Sequence, residues 1–326
     1  MIASFFSRIF SWVGSLSGGG SKPQDAPAEE PRKRRRRRRK PRNPEAEGVV
    51  AASSAPAQPE PPAREAVSCA ANRDASAKKQ SGNWEIPPIP DPPEEGAVYF
   101  QSFPLRPQIL HATLEDLGFR KCTPIQAKAL PAAIAGRDIA GKAQTGTGKT
   151  AVFLMAVIER FLEQHEERRN NQPFALVLAP TRELALQIAK DAEALSVYTP
   201  LRTVAVFGGM DYDRQQRLLQ AGADLVVATP GRLIDFMQKR AVDASKVGVL
   251  VIDEADRMLD MGFIPDVKRI IYRLPPREMR QTMLFSATLS HDILNLASGW
   301  MRPDPVVVEI EPEQVVAAGI NETVYA

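Results

Sequence analysis

Ala143-Gln144-Thr145-Gly146-Thr147-Gly148-Lys149-Thr150 is the stretch whose reading sets the fold. It follows a short apolar run at 139–141 and opens a helical pattern at 151–156. Strand, glycine-bearing turn, Lys-Thr and helix is the context that a phosphate-binding loop requires. The glycines let the backbone curl so that successive N–H groups point inward, and the helix N-terminus adds partial positive charge. Lys149 would reach the β and γ phosphates, and the Thr150 hydroxyl would hold Mg²⁺. The loop departs from the GxxxxGK[ST] pattern once, with Ala143 in place of the first glycine. A Gly/Thr-rich turn that binds nothing is the alternative; the context favours a nucleoside triphosphate.

Outward from this loop, apolar runs alternate with helical patterns. Strands are expected at 138–141, 175–179, 203–207, 224–228, 247–252, 282–285 and 306–310. Helices are expected at 151–164, 183–198, 212–219, 232–238, 264–274 and 291–300, after a helical face of apolar residues from Phe103 to Leu117. Val247-Gly248-Val249-Leu250-Val251-Ile252 is apolar on both faces, as a parallel sheet covered by helices demands. The βαβα order predicts an α/β domain doubly wound around a mostly parallel sheet. Ligands in such sheets bind at the carboxyl ends of strands.

Asp253-Glu254-Ala255-Asp256 directly follows the 247–252 strand. A carboxylate at Asp253 can sit beside the phosphate loop and hold Mg²⁺ through water, and Glu254 can polarise the water that attacks the γ-phosphate. The alternative, a surface acidic turn capping a helix, loses ground behind a fully apolar strand and a phosphate loop.

With Gln126, the phosphate loop and Asp253-Glu254-Ala255-Asp256, further segments occur in order: Pro180-Thr181-Arg182-Glu183-Leu184-Ala185, Gly208-Gly209, Thr229-Pro230-Gly231-Arg232 and Ser286-Ala287-Thr288. Together, from about Phe100 onward, they resemble the first RecA-like, P-loop NTPase domain of the DEAD-box ATP-dependent RNA helicases. The resemblance implies a Q motif at 101–129, ATP and Mg²⁺ as ligands, and an ATP-binding domain over 98–312. It implies that Gln126 bonds the adenine edge, where an amide can meet both a donor and an acceptor, while Phe119 stacks on the ring. For Phe119 alone, plain core packing is an equal alternative. Pro180, Thr181, Arg182, Gly208, Gly209, Thr229, Pro230, Gly231 and Arg232 would contact RNA phosphates and sugars, which positions a strand without reading sequence. By itself Thr-Pro-Gly-Arg is only a turn and helix start. Ser286 and Thr288 would link the nucleotide site to RNA by bonding to the acidic motif at Asp256; a bare Ser-Ala-Thr is otherwise an N-cap. CTPIQA, QIAKDAEAL, VFGGMDYD, RMLDMGFIPDV and IEPE resemble the bacterial RhlB branch of this family. That branch implies work in RNA turnover with RNA degradosome components in a bacterial cytoplasm.

Such a helicase also needs a second RecA-like domain carrying arginine fingers, and 313–326 reads as the start of an interdomain linker. The expectation is a polypeptide without that second domain, turning over ATP very slowly and not unwinding duplexes, since an arginine finger supplies roughly 10³–10⁵ in rate. A non-catalytic module that binds ATP and RNA is the rival reading.

Charge is distributed unevenly. Residues 1–97 hold 16 Lys+Arg against 12 Asp+Glu, while the remainder of the 326 is close to neutral, so any RNA groove there must be built of placed groups. Half of the 28 prolines fall before residue 97, and composition predicts disorder across 18–97. Within it, Arg32 to Lys40 is a basic run drawn to polyphosphate; RNA contact is the preferred reading over a solvated spacer or nuclear import. Residues 1–17 have helical amphipathic spacing at 1–16, fit for a membrane surface, a partner's groove or an unimportant terminus. Cys69 and Cys122 are too few and too far apart for a disulfide framework or metal site, and no apolar run is long enough to span a membrane.

Overall fold

The computed structural model describes residues 86–91, 94–164 and 168–310. The amphipathic segment, the arginine run, Cys69 and the linker at 313–326 lie outside the described residues.

Seven strands form one sheet among the described residues: β1 (Ile139–Lys142), β2 (Ala175–Leu178), β3 (Thr203–Val206), β4 (Leu225–Ala228), β5 (Val249–Ile252), β6 (Gln281–Ser286) and β7 (Val306–Glu309). Their spatial order is β3-β4-β2-β5-β6-β1-β7, and every neighbouring pair is parallel. All seven expected strands are present, with ends within two residues of the sequence reading, and the mostly parallel sheet is parallel throughout.

Alternation along the strands explains why helices cover both faces. Ala175, Val177, Leu225, Val227, Val249 and Val251 point to one face, and Leu176, Leu178, Val226, Ala228, Leu250 and Ile252 to the other. The first set packs against α2 (Pro124–Ile134), α3 (Lys149–Glu163) and α4 (Arg182–Leu195), with α1 (Pro107–His111) and a following π turn beside them. The second packs against α5 (Tyr212–Gln220), α6 (Pro230–Gln238), α7 (Ala255–Asp260), α8 (Ile264–Ile271) and α9 (His291–Trp300). Both faces are therefore dry, which is what the unbroken apolar strand sequences require. Among the described residues, no helix is long and apolar enough to cross a membrane.

Two local features fix the position of β1, from which the phosphate loop springs. A Cβ added at Gly141 would lie 2.5 Å from the Phe285 ring, so only glycine lets β6 carry that aromatic against β1. At the opposite strand end, buried Asp138 accepts from the Thr282 N–H at 3.0 Å and from the Arg302 backbone and guanidinium, tying the starts of β1, β6 and β7 together. Packing also reaches upstream of the expected domain start at 98. Ile86 lies against the core and Gln101 donates to the Pro87 carbonyl at 3.2 Å.

Candidate functional site

Parallel strands in register deliver all their following turns to one edge. Leu178, Ala228 and Val206 are aligned across β2, β4 and β3, and Leu178, Ile252 and Leu284 across β2, β5 and β6. The phosphate loop, the acidic motif and Ser286-Ala287-Thr288 thus leave the neighbouring strands β1, β5 and β6. Pro180-Thr181-Arg182, Thr229–Arg232 and Gly208-Gly209 leave β2, β4 and β3.

On the first group, a cleft of about 480 Å³ is lined by Phe119, Gln126, Thr145, Gly146, Gly148, Lys149, Thr150, Asp253 and Glu254. Ala143 is buried and donates its N–H to the Ser286 carbonyl at 3.0 Å, so the methyl in place of a glycine hydrogen is accommodated in the core. Gly148 has φ +91°, and a side chain there would run into the Gln126 amide. Lys149 is buried; its ammonium donates to the Ala143 carbonyl at 2.9 Å and stands 4.0 Å from Asp253 Oδ1. Gln144 and Thr147 do not line the cleft. The Thr147 hydroxyl donates to the Gln144 carbonyl at 2.8 Å and braces the loop from behind.

The segment before α2 clamps this loop. The Thr123 hydroxyl donates to the Thr147 carbonyl at 2.7 Å, the Gln126 amide donates to the Gly148 carbonyl at 3.2 Å, and the Gln126 oxygen accepts from the Thr123 N–H at 2.8 Å. Gln126 keeps one further N–H and one further lone pair, enough for the two bonds an adenine edge offers. Phe119 is half exposed and lines the cleft rather than the core.

Asp253 is buried, and its Oδ1 accepts from the Glu254 N–H at 3.0 Å. Burial pushes its carboxyl up to about 6, opposed by the neighbouring Lys149 charge. Glu254 holds left-handed backbone angles (φ 51°, ψ 53°), uncommon for a residue with a side chain and costly by roughly 1 kcal/mol or more. Its carboxylate is held by Arg257 at 3.3 Å. The donor set fits a magnesium nucleotide: the Lys149 ammonium, the Thr150 hydroxyl and the buried Asp253 carboxylate line one cleft. Among the described residues no group of three or more His, Cys, Asp or Glu side chains could hold a metal ion.

Asp256 joins the two strand exits. Its Oδ2 accepts from the Ala287 and Thr288 N–H groups at 3.0 Å each and from the Thr288 hydroxyl at 3.4 Å. The buried Ser286 hydroxyl in turn accepts from the Asp256 N–H at 3.1 Å.

The second group is arranged differently. Gly208, Gly209, Gly231 and Arg182 are exposed, Pro180 is buried, and the Thr181 hydroxyl is used as an N-cap, accepting from the Leu184 N–H at 3.3 Å. The Arg182 guanidinium lies 5.2 Å from the Phe207 ring centroid, and Arg232 lies 5.4 Å from that of Tyr212 while donating to the Met210 carbonyl at 3.2 Å. None of these residues lines the nucleotide cleft.

Three contributors escaped the sequence reading. Thr123 had a local signal, a Thr three residues ahead of Gln at a helix start. Arg257 lies one helical turn beyond Glu254. The cleft wall formed by Leu184, Gln187, Asp191, Ala194 and Leu195 follows one helical face of α4, a spacing that marks a face but not what it faces. A second concavity, lined by Arg168, Arg169, Gln172 and Lys246, lies beside the chain entering β2 and β5 and has no part in this edge.

Comparison with known proteins agrees with this geometry. The DEAD/DEAH box helicase family matches residues 123–296. The chain is similar to the ATP-dependent RNA helicase RhlB of Pseudomonas aeruginosa (strain UCBPP-PA14), 52% identical over 237 residues, 72% of this chain and 59% of the relative. It is also similar to the protein of that name from Xanthomonas oryzae pv. oryzae, 50% identical over 70% of this chain and 40% of the relative. A crystal structure of a DEAD box protein from the hyperthermophile Methanococcus jannaschii superposes with a TM-score of 0.59 at 35% identity, covering 66% of this chain and 57% of that one. The chain spans about 59% or less of the length of these curated relatives.

Proposed function

The chain belongs to the DEAD/DEAH box helicase family and is RhlB-like, and from that premise we propose that it forms the ATP-binding half of an RNA helicase. The observation that carries this reading is the meeting of Lys149 and buried Asp253 at 4.0 Å across the exits of β1 and β5, inside a cleft that also holds Gln126 and Phe119. In this reading the adenine stacks on Phe119 and bonds Gln126, the phosphates lie on the 143–150 loop, and Lys149 faces the β and γ phosphates. Thr150 and, through water, Asp253 hold Mg²⁺, which supplies charge neutralisation at the phosphates. Glu254 takes a proton from the attacking water, held in position by Arg257.

RNA runs along the exits of β2, β4 and β3, with Arg182 and Arg232 on phosphates and exposed glycines allowing close backbone approach. Asp256, through Ser286, Ala287 and Thr288, carries the nucleotide state toward RNA. In the whole protein we infer ATP-driven clamping of single-stranded RNA and local duplex opening. For residues 1–326 alone we infer slow turnover, since among the described residues no arginine lines the cleft. RNA turnover with degradosome components in a bacterial cytoplasm completes the proposal, supported by the likeness to RhlB proteins.

Equilibrium binding of a fluorescent ATP analogue tests the site. Lys149→Ala should weaken Mg-nucleotide binding at least tenfold, and an unchanged affinity would remove the nucleotide reading.

A further inference from the structure

Beyond the motif residues, two cations converge on one aromatic ring. Tyr212 opens α5 immediately after the Gly208-Gly209 turn, and Phe236 of α6 stacks on one face of its ring (4.5 Å between centroids, 27° between planes). The same ring also receives Lys239, with the ammonium 4.0 Å from the centroid, and Arg232 at 5.4 Å. Arg232 spends one N–H on the Met210 carbonyl. Among the described residues, neither cation forms an ion pair, although Asp235 lies between them on α6.

Like charges gathered on one ring repel, and an anion seated between them turns that repulsion into attraction. Lys239 also caps the C-terminal end of α6, where the helix dipole favours a cation. The dipole would keep Lys239 near the helix end, but it does not direct the ammonium onto the ring that Arg232 shares. Arg232 in α6 and Lys239 at its C-cap are seven residues apart, about two helical turns, so their side chains can reach one ring from the same side of the helix.

We propose that Arg232, Tyr212 and Lys239 form an additional phosphate seat, which continues the single-stranded RNA path outward along α6 from the Thr229–Arg232 turn. Lys239 is the added phosphate contact, and Tyr212 is the positioning residue that holds both cations. The hydroxyl of Tyr212 is buried without a hydrogen-bond partner, so the ring rather than the hydroxyl performs this role. The inference rests on the RNA reading given above.

The test uses the 326-residue chain with Mg²⁺ and a non-hydrolysable ATP analogue, binding fluorescent uridine strands of two lengths across a salt series. One strand spans only the turns after β2, β3 and β4, and the other extends beyond them. Lys239→Gln should weaken binding of the longer strand roughly threefold and reduce the salt slope by about 0.7, the value for one phosphate on a single strand. The shorter strand should bind as before. Tyr212→Ala should reproduce the loss and Tyr212→Phe should rescue it. Identical affinity and slope for Lys239→Gln and the parent chain on the longer strand would overturn the proposal. Arg232→Ala separates the two readings: it should weaken both strands, and if it weakens neither, the RNA reading beneath the proposal fails with it.

Discussion

The two halves of the sheet's carboxyl edge solve opposite electrostatic problems. At the exits of β1, β5 and β6 the charges are answered from within, buried Lys149 by Ala143 and buried Asp253, and half-buried Asp256 by the Ser286–Thr288 turn. At the exits of β2, β4 and β3 the cations lie toward solvent on aromatic rings, Arg182 on Phe207 and Arg232 on Tyr212, with no carboxylate paired to either among the described residues. A phosphate arriving at the first half must exchange existing bonds, which rewards only a ligand with matching geometry. One arriving at the second meets water, a weak cation–π contact, worth about 0.5–1 kcal/mol at an exposed site, and a single bond from Arg232 to the Met210 carbonyl. That difference suits a selective nucleotide site beside a sequence-tolerant RNA track.

Breaking the first half should have the largest consequence. In the whole protein, Glu254→Gln should reduce ATP turnover by roughly 10²–10⁴ while nucleotide affinity holds, read by single-turnover hydrolysis beside equilibrium binding. Normal turnover would refute the role of Glu254. The next effect tests the seam between the halves. Asp256→Asn converts an acceptor of four hydrogen bonds into a side chain that can match them only partly. Nucleotide and RNA should each still bind, but RNA should no longer tighten nucleotide binding; persistence of that coupling would place the link elsewhere.

A smaller effect concerns pH and should appear in the first half alone. The Asp253 carboxyl is raised by burial from its ordinary 3.8 to about 6. Between those values the folded chain keeps a proton that the unfolded chain releases. The stability this group contributes is therefore full below about 3.8 and is lost as pH rises through about 6, by up to roughly 3 kcal/mol. Mg-nucleotide binding needs the ionised carboxylate and should strengthen over the same interval. Thermal unfolding and nucleotide affinity measured from pH 5 to 7.5 should move in opposite directions, and parallel movement would contradict the placement of Asp253.

How much of this was legible in the sequence follows the same division between local and through-space information. The strands could be read because each is buried on both faces and must be apolar throughout. α2 could not, since Pro131 interrupts its pattern, and Ile125, Ala129, Leu130 and Ala133 are buried without a clean polar face opposite. α7 is only six residues long and begins inside the acidic motif, too short to show a period. The helical face read across Phe103 to Leu117 is present from Pro107 to Asp116, where α1 runs directly into a π turn, and it is preceded by a separate 3-10 turn (Phe100–Ser102). At the site, the phosphate loop and acidic motif are contiguous residues whose chemistry is fixed by their order. The clamp of Thr123 on Thr147, the α4 wall and the sharing of Tyr212 by Arg232 and Lys239 join residues 20 or more positions apart, and only the folded chain brings them together.

The central claim is that one sheet edge carries two separable sites, and crossed binding measurements on the 326-residue chain test it most directly. With the parent chain, Lys149→Ala, and the double variant Arg182→Ala, Arg232→Ala, two quantities are measured: Mg-nucleotide affinity without RNA, and the salt dependence of RNA binding without nucleotide. The account predicts that Lys149→Ala loses nucleotide and keeps the RNA slope, while the double variant keeps nucleotide affinity and flattens the slope by about 1.4, two phosphates on a single strand. Loss of nucleotide binding in the double variant, or a flattened RNA slope in Lys149→Ala, would contradict it.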